Sequence, residues 1–267
     1  MKRTIRRRVR DFFCSIPLQH IRCVPSIISN VENWRPLIFN CIGLMDSGET
    51  YRFRDGIKIK TQEGAEARNI VSVYMEKAYG EIIDNSVIID IGAHIGIYSI
   101  YTASKSKNIK VYAYEPMPSS FSLLSENAEL NKLDNICAFN LGVTAKNEKR
   151  KLYIADISSD NSLYGNNTMN YIEIECISLE DIFVENEIDQ CDILKVDCEG
   201  AEYEILFNTP DEYLRKITKI CLEYHNQGVN EQYNIKKLKS FLKNQGFRIV
   251  KSTKYPKGMW LEKLGHV

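Results

Sequence analysis

This chain of 267 residues lacks several features that would assign it to a class at once. It has no run approaching the ~20 apolar residues that a membrane span needs. Its eight cysteines include no C-x-x-C pair and no neighbouring histidine at metal spacing. Lys plus Arg and Asp plus Glu balance at 35 each, so no net charge favours nucleic acid. These absences argue against a membrane-spanning protein, a metal site and a nucleic-acid partner.

The overall composition is that of a globular protein, with 44% hydrophobic and 26% charged residues. Cys137 and Cys221 lie in strand-like runs, where an unpaired cysteine usually packs as a small apolar residue. That use of cysteine suits a reducing compartment, and we expect a cytoplasmic protein.

The N-terminal segment begins with the positive charge of a signal peptide, but Asp11 and Pro17 interrupt its apolar stretch before it reaches the usual ~7–15 residues. Residues 2–16 instead predict a basic amphipathic helix. Two interpretations stay open: a solvated arm or a helix packed on the domain, and a helix that contacts a membrane surface or a partner. The apolar stripe is Ile5, Val9, Phe12, Phe13 and Ile16, and the basic residues are Arg3, Arg6, Arg7 and Arg10.

The rest of the chain divides into an accessory segment and an α/β domain. We place the arm and accessory segment at residues 1–67 and the domain at 68–267, with an irregular stretch over 21–86 that holds short strands in "TYRFRDGIKIKT" and a helix near "ARNIVSVYMEKAYG". Beyond it, strands and helices alternate, which predicts a doubly wound, mostly parallel, seven-stranded Rossmann-like sheet with 87–91 central. Predicted strands are 87–91, 110–115, 136–141, 192–197 and 217–224, followed by a hairpin of 247–252 and 257–262, and helices lie near 96–106, 118–131, 200–207 and 231–245.

In such sheets ligands bind outside the C-terminal ends of the strands, and here those ends are polar. The first strand runs into a glycine turn in "IIDIGAHIGIYSIY", with Asp90 directly before Gly92 and Gly96. A dinucleotide would place an anionic pyrophosphate beside that carboxylate, and the turn is G-x-x-x-G rather than G-x-G-x-x-G. S-adenosylmethionine carries a sulfonium and an ammonium group instead, which carboxylates complement. Glu115, at the next strand end, has two oxygens that can accept from both ribose hydroxyls. The other interpretation is a glycine turn that only packs helix on sheet.

Three motifs then resemble one known family: "VIIDIGAHIGIYSIYTA", "VYAYEPMPSSFSLLSENAELNKLDNICAFNLGV" and "DILKVDCEGAEYEIL" are similar to the FkbM-type methyltransferases over roughly residues 68–250. The resemblance implies a class I S-adenosylmethionine-dependent fold and methylation of hydroxyl groups on sugars, polyketides or glycolipids. It implies cofactor contacts at Asp90, Gly92 and Glu115, with Asn140 and Leu141 near the adenine. Asp197 and Glu199 are implied to face the reacting end.

The full cofactor set that we predict is Asp90, Gly92, His94, Gly96, Glu115, Pro116, Asn140, Leu141, Gly142 and Asp197. The sequence departs from the family at His94, where Asn is common. Imidazole can still donate a hydrogen bond, so only the detailed role of this side chain differs.

Proton removal from the acceptor hydroxyl needs a base, and we predict His225. In an extended strand Glu223 and His225 project to one side, and Asp197 and Glu199 end the neighbouring strand. An unperturbed imidazole is mostly neutral near pH 7 and can accept a proton. Asp197 is the alternative base, and a purely structural His225–Glu223 pair is the remaining interpretation.

Other functions stay under consideration. A nicotinamide-dependent dehydrogenase would need the G-x-G-x-x-G turn that is absent. A non-catalytic, membrane-associated interaction protein should have lost its polar strand ends, and a nucleic-acid base methyltransferase should show a basic face with stacking aromatics. Residues 156–170 offer Asp, Ser, Asn and Tyr groups that suit carbohydrate hydroxyls, or they form a solvated hairpin tip.

Overall fold

The computed structural model describes residues 22–80, 82–155, 161–164, 170–225, 231–253 and 257–264. The chain forms two compact units, one up to Ala78 and one from Tyr79 onwards. The boundary that we predict between residues 67 and 68 stays a prediction, and the amphipathic segment 2–16 lies outside the described residues. No helix within the described ranges is long and apolar enough to cross a membrane.

The first unit is a small mixed α/β structure. Its described residues, which begin at 22, form two helices, Val24–Asn30 and Trp34–Cys41, and an antiparallel pair of strands, β1 (Thr50–Arg52) and β2 (Lys58–Lys60). A third helix, Glu66–Ile70, runs directly into a π-helical turn at Val71–Met75. The strand pair and the third helix confirm the elements predicted for this stretch.

In the second unit, the described residues form ten strands and the helices that cover them. The strands are β3 (Val87–Ile91), β4 (Lys110–Tyr114), β5 (Ile136–Phe139), β6 (Gly142–Thr144), β7 (Glu148–Tyr153), β8 (Tyr171–Ser178), β9 (Cys191–Val196), β10 (Ile217–Glu223), β11 (Phe247–Ser252) and β12 (Gly258–Lys263). The helices are Ile97–Ala103, Pro118–Leu130, Leu179–Glu185, Glu202–Asn208, Asp211–Arg215 and Ile235–Asn244.

Seven of these strands form one sheet in the order β11-β12-β10-β9-β3-β4-β5. The five strands from β10 to β5 are parallel, and the antiparallel hairpin of β11 and β12 extends the sheet on the β10 side. The predicted mostly parallel, seven-stranded α/β fold is confirmed, with 87–91 in the interior. Four of the five residues of β3 are buried, as expected for a parallel strand covered on both faces.

A second sheet of three strands was not among the predicted elements. Strands β6 and β8 pair in parallel, and β7 pairs with β8 antiparallel. The predicted strand 136–141 is therefore shorter than expected: β5 ends at Phe139, and the chain enters the second sheet at Gly142. This places residues 140–142 at the junction of the two sheets, next to the C-terminal end of β4.

Candidate active site

The glycine turn after β3 is held in a conformation that few residue types adopt. Gly92, His94 and Gly96 have φ values of 74°, 51° and 84°. The amides of Gly92 and Ala93 both donate to the Tyr114 carbonyl, each at 3.0 Å. A Cβ on Gly92 would lie 1.8 Å from the Asp197 carbonyl oxygen. The turn is thus wedged between the ends of β4 and β9, and only glycine fits at its first position.

His94 occupies a left-handed position, which explains the residue type found there. Asn, Asp and His are several-fold enriched among non-glycine residues with positive φ. The departure from the Asn common in the family therefore keeps a residue that tolerates this backbone conformation. The amide of His94 donates to Glu115 Oε2 at 2.8 Å.

Glu115 links the turn to the end of β4. Its second oxygen accepts from the Met117 amide at 2.9 Å, and the residue is buried. Desolvation outweighs these two hydrogen bonds and raises the pKa of Glu115 to about 7. Asn140 Nδ2 donates to the carbonyls of Glu115 and Pro116, at 2.9 and 3.0 Å, and so fixes the end of β5 beside them.

Leu141 and Gly142 sit where the chain leaves the main sheet. Leu141 is partly buried against the core. Gly142 begins β6, and a Cβ there would lie 2.8 Å from Ile174 Cδ1 and 2.9 Å from Cys176 Sγ. The glycine thus has a packing role in the second sheet, and its predicted contact with the adenine stays a prediction.

Asp90 lies in the core rather than at the surface of the turn. It is fully buried, its Oδ1 lies 2.9 Å from Lys195 Nζ, and its Oδ2 accepts from Ser99 Oγ at 2.6 Å. The carboxylate thus neutralises a buried lysine on the adjacent strand. The predicted contact of Asp90 with the cofactor stays a prediction, and the structure gives the enclosed carboxylate a cationic partner in Lys195.

Lys195 is a site residue that the sequence reasoning missed. Its Nζ also donates to the Gly92 carbonyl at 3.0 Å and lies 3.8 Å from Asp197 Oδ2. Burial lowers the pKa of this amine, but Asp90 and then Asp197 outweigh that effect and raise it to about 12. The sequence does contain a signal for this residue: a lysine within a strand predicted to be buried indicates a charged partner nearby, since a buried charge requires one.

Tyr79 was missed as well. Its hydroxyl donates to Asp197 Oδ2 at 3.2 Å, and its carbonyl accepts from Cys221 Sγ at 3.3 Å. Asp197 Oδ2 therefore lies close both to the Tyr79 hydroxyl and to the Lys195 amine.

His225 lies among carboxylates at the ends of β9 and β10. Its Nδ1 is 2.7 Å from Glu202 Oε1, and its Nε2 is 3.2 Å from Glu199 Oε1 and 3.8 Å from Glu223 Oε1. Glu202 is fully buried and also accepts from the amides of Cys198 and Gly200, which shapes the turn after β9. The predicted meeting of Asp197, Glu199, Glu223 and His225 at one edge is what the structure shows. We call these four residues the acidic–imidazole cluster.

The protonation of this cluster differs from the expectation. Burial lowers the pKa of His225, but the hydrogen bond and charge of Glu202 and the charge of Asp197 outweigh it and raise the pKa to about 9. Desolvation and the charge of Asp197 raise the pKa of Glu223 to about 8. The imidazole is therefore protonated near neutral pH rather than neutral, because more carboxylates surround it than the sequence indicated.

Part of the predicted acceptor loop also reaches this edge. Ser162 Oγ donates to the Glu199 carbonyl at 2.5 Å, and the Tyr164 hydroxyl donates to Glu204 Oε2 at 2.6 Å. Glu204 in turn pairs with Arg150 of β7 at 3.2 Å. Residues 156–160 and 165–169 of that loop lie outside the described residues. The segment 161–164 is thus attached to the turn that carries Glu199.

Comparison with known proteins identifies the family. A sequence profile of the methyltransferase FkbM domain matches residues 90–249, which includes the glycine turn, Glu115 and the whole acidic–imidazole cluster. The chain belongs to the FkbM methyltransferase family. It is therefore a methyltransferase with the class I fold, and S-adenosylmethionine is its cofactor.

Individual relatives of this FkbM-family chain are distant. It is 26% identical to methyltransferase sdnD of Sordaria araneosa, over 62% of this chain and 75% of that protein. It is 24% identical to hexuronic acid methyltransferase AglP of Haloferax volcanii, over 59% and 62% of the two chains. It is 22% identical to the 31-O-demethyl-FK506 methyltransferase FkbM of Streptomyces tacrolimicus, over 68% and 84%.

The residues present fit S-adenosylmethionine. Buried or half-buried carboxylates line the strand ends beside the glycine turn, at Glu115, Asp197 and Glu199, and Lys195 is committed to Asp90. These carboxyl groups complement a sulfonium, an ammonium and a ribose diol, whereas they would repel a pyrophosphate.

Proposed function

We propose that this methyltransferase transfers the methyl group of S-adenosylmethionine to a hydroxyl oxygen of a sugar, glycolipid or polyketide-like acceptor. The observation that carries the proposal is the acidic–imidazole cluster, which lies at the same edge of the sheet as the glycine turn: Gly92 abuts the carbonyl of Asp197. A cluster rich in proton acceptors at the reacting end suits an acceptor that must lose a proton. The activities named for two relatives, on a hexuronic acid and on 31-O-demethyl-FK506, support a sugar or polyketide-like acceptor.

For the cofactor we assign the ribose to Glu115 and the adenine to Asn140, Leu141 and Gly142. S-adenosylmethionine supplies an electrophilic methyl group on a good leaving group when bound. The residues of the turn, Gly92, His94 and Gly96, position its amino-acid end, with Asp90 acting through Lys195. Pro116 shapes the strand end beside the ribose site.

The chain's own chemistry is the removal of one proton. Because His225 is protonated near neutral pH, a carboxylate of the cluster is the first acceptor, and Asp197 is the candidate that Tyr79 and Lys195 hold in place. His225 and Glu223 then orient the acceptor hydroxyl. A positioned base of this kind contributes about 10²–10⁴-fold to the rate.

The test begins with the cofactor and ends with the acceptor. Calorimetry with S-adenosylhomocysteine and with NAD should show binding of the first alone. Mass spectrometry should then find acceptors that gain one methyl group in a panel of uronic acids, glycolipids and hydroxylated polyketides. Asp197→Asn and His225→Gln should each reduce turnover by about a hundredfold or more. Methylation of an RNA panel with no methylation of hydroxyl acceptors would contradict the proposal.

We also propose that residues 2–16, for which the sequence predicts a basic amphipathic helix, bring a cytoplasmic enzyme to an anionic membrane surface or to an assembly partner. The support is the apolar stripe of Ile5, Val9 and Phe12 beside Arg6 and Arg10. Flotation with anionic liposomes tests it. A chain that lacks residues 1–17 and floats as well as the full chain would exclude the membrane role.

A further inference from the structure

Three members of the acidic–imidazole cluster present ligand atoms to one small volume. One atom each from Asp197, Glu223 and His225 lies within 4.8 Å of the other two. Ligands on a divalent cation, with bonds of about 2.0–2.2 Å, are separated by roughly 3–4 Å. Modest side-chain rotations would therefore close the set around a cation. The three side chains are 26%, 21% and 17% exposed, so a cation has access from solvent.

The orientation of the imidazole is a second observation. Glu202 Oε1 holds Nδ1 of His225 at 2.7 Å, which leaves Nε2 facing Glu223 and Glu199. Metal-binding histidines almost always use their other ring nitrogen in this way, with a carboxylate or carbonyl as the partner. The fixed ring thus directs Nε2 into the set of carboxylates, and a cation bound there would replace the proton on that nitrogen, which is released to solvent.

Glu202 itself adds a charge that the described residues leave uncompensated. The residue is fully buried behind the imidazole ring, and within the described ranges its Oε2 has no hydrogen-bond partner. Beyond it lie the carboxylates of Asp197 and Glu199. Lys195 is already paired with Asp90, so these two carboxylates and Glu202 face only one further cation among the described residues of the cluster, His225. This edge carries surplus negative charge, which favours a bound cation.

We propose that Asp197, Glu223 and His225 bind one divalent cation of the magnesium–manganese class, which holds the acceptor hydroxyl for methyl transfer. Two carboxylates with one imidazole and room for water suit this class of cation. The inference rests on the proposed function, and it departs from the sequence-based expectation of no metal site. The sequence could not show it, because residue 197 is far along the chain from 223 and 225 and no ligand motif spans them.

The chemical step balances without a further reactant. The hydroxyl oxygen, made more acidic by the cation, gives its proton to Glu199, the carboxylate of the cluster outside the ligand set. The electron pair of that oxygen forms the bond to the methyl carbon, and the electron pair of the broken carbon–sulfur bond goes to sulfur. With the cation bound, Asp197 is a ligand and Glu199 takes over the role of proton acceptor that we assign to Asp197 in the absence of the cation.

The test uses the full chain, treated with EDTA, desalted and titrated with Mn²⁺, with the electron paramagnetic resonance signal of free Mn²⁺ as the readout. We expect one site per chain, and we expect Glu223→Gln to weaken it at least about tenfold. Glu175→Gln is the matched control, because Glu175 forms an exposed ion pair with Lys149 on the second sheet. It should leave Mn²⁺ binding unchanged. Melting curves verify that each variant is folded, and His225→Gln provides a second ligand variant.

Calorimetry with S-adenosylhomocysteine in EDTA separates this proposal from the proposed function. A chain that binds S-adenosylhomocysteine but no Mn²⁺ would overturn the cation site, since the negative charge would then serve the cofactor's ammonium, and would leave the methyltransferase assignment intact. Equal Mn²⁺ binding by the wild type, Glu223→Gln and His225→Gln would also overturn it. Mn²⁺ binding that depends on both ligands but occurs without S-adenosylhomocysteine binding would support the cation site and contradict the cofactor assignment.

Discussion

The ion pair between Lys195 and Asp90 gives a sharp test of how the site is built. Lys195→Met keeps the length of the side chain but removes its charge. Among the described side chains, the fully buried Asp90 then retains only the hydroxyl of Ser99 as a partner. Removal of one partner from a buried pair costs about 3–5 kcal/mol, because the other charge stays buried without compensation. For a chain of this size each kcal/mol shifts the melting temperature by roughly 2–4 °C. We therefore expect Lys195→Met to melt about 6–20 °C below the wild type.

A matched lysine on the next strand provides the control. Lys219 of β10 pairs with Glu262 of β12 at 3.4 Å, and the two side chains are 33% and 40% exposed. Exposed pairs contribute about 0–1 kcal/mol, so Lys219→Met should melt within a few degrees of the wild type. Both variants are measured by differential scanning calorimetry near neutral pH, where Lys195 is charged because its pKa lies at about 12.

The double variant Asp90→Asn with Lys195→Met completes the cycle. It removes both charges, and Ser99 can still donate to the amide oxygen of the new side chain. We expect it to recover much of the loss, with a coupling free energy of at least about 2 kcal/mol. Equal losses in Lys195→Met and Lys219→Met, or additive losses at positions 90 and 195, would refute the reasoning that these two buried charges stabilise the turn together.

The remaining predictions concern ligand binding and the turn. Glu115→Gln should raise the dissociation constant of S-adenosylhomocysteine about ten- to a hundredfold by calorimetry, and an unchanged constant would reject the ribose assignment. Because burial raises the pKa of Glu115 to about 7, wild-type affinity should increase as the pH rises through that value and the carboxyl group ionises, whereas the Gln variant should show no such increase. Gly92→Ala should cost at least about 2 kcal/mol more than Gly246→Ala in denaturant unfolding, since both have positive φ but only the first meets a backbone oxygen; equal costs would show that the clash is relieved elsewhere. His94→Asn should melt like the wild type, while His94→Val should lose about 1–2 kcal/mol from its left-handed backbone. Ser162→Ala should raise the KM for the acceptor and leave cofactor affinity unchanged, and no change in either would remove segment 161–164 from the acceptor site.

The main sheet could be predicted because strand-like apolar runs and helix-like stretches alternate along the sequence. Residues 87–91 and 192–197 are short apolar runs between polar turns, and the structure forms β3 and β9 there. The second sheet could be predicted from the sequence only in part. Residues 171–178 alternate apolar and acidic side chains, which is itself a strand pattern. Its partner β6 is only three residues long and follows β5 almost directly, so the change of sheet at 140–141 has no comparable signal.

The site was predictable in its location more than in its contacts. Strand-end polarity placed Asp197, Glu199, Glu223 and His225 at one edge, because parallel strands end together. The partner of His225 Nδ1 was not predictable, since Glu202 begins a helix that follows β9 and contacts His225 only once the chain has folded. The sequence analysis did not include Glu202 among the neighbours of His225, and for that reason its prediction of a neutral imidazole was wrong.

The distribution of charge explains why a protein with no net charge can select a cationic donor. The ends of β3, β9 and β10 carry more carboxylates than cations: Asp90, Asp197, Glu199 and Glu202 against Lys195 and His225. Several of these groups are buried, where screening by salt and water is weak and a local field persists even though the whole chain is neutral. A sulfonium and an ammonium are attracted to such an edge, and a pyrophosphate is repelled from it. The neutral thioether that remains after methyl transfer has lost the sulfonium part of that attraction, so the same field that binds the donor also favours release of the product.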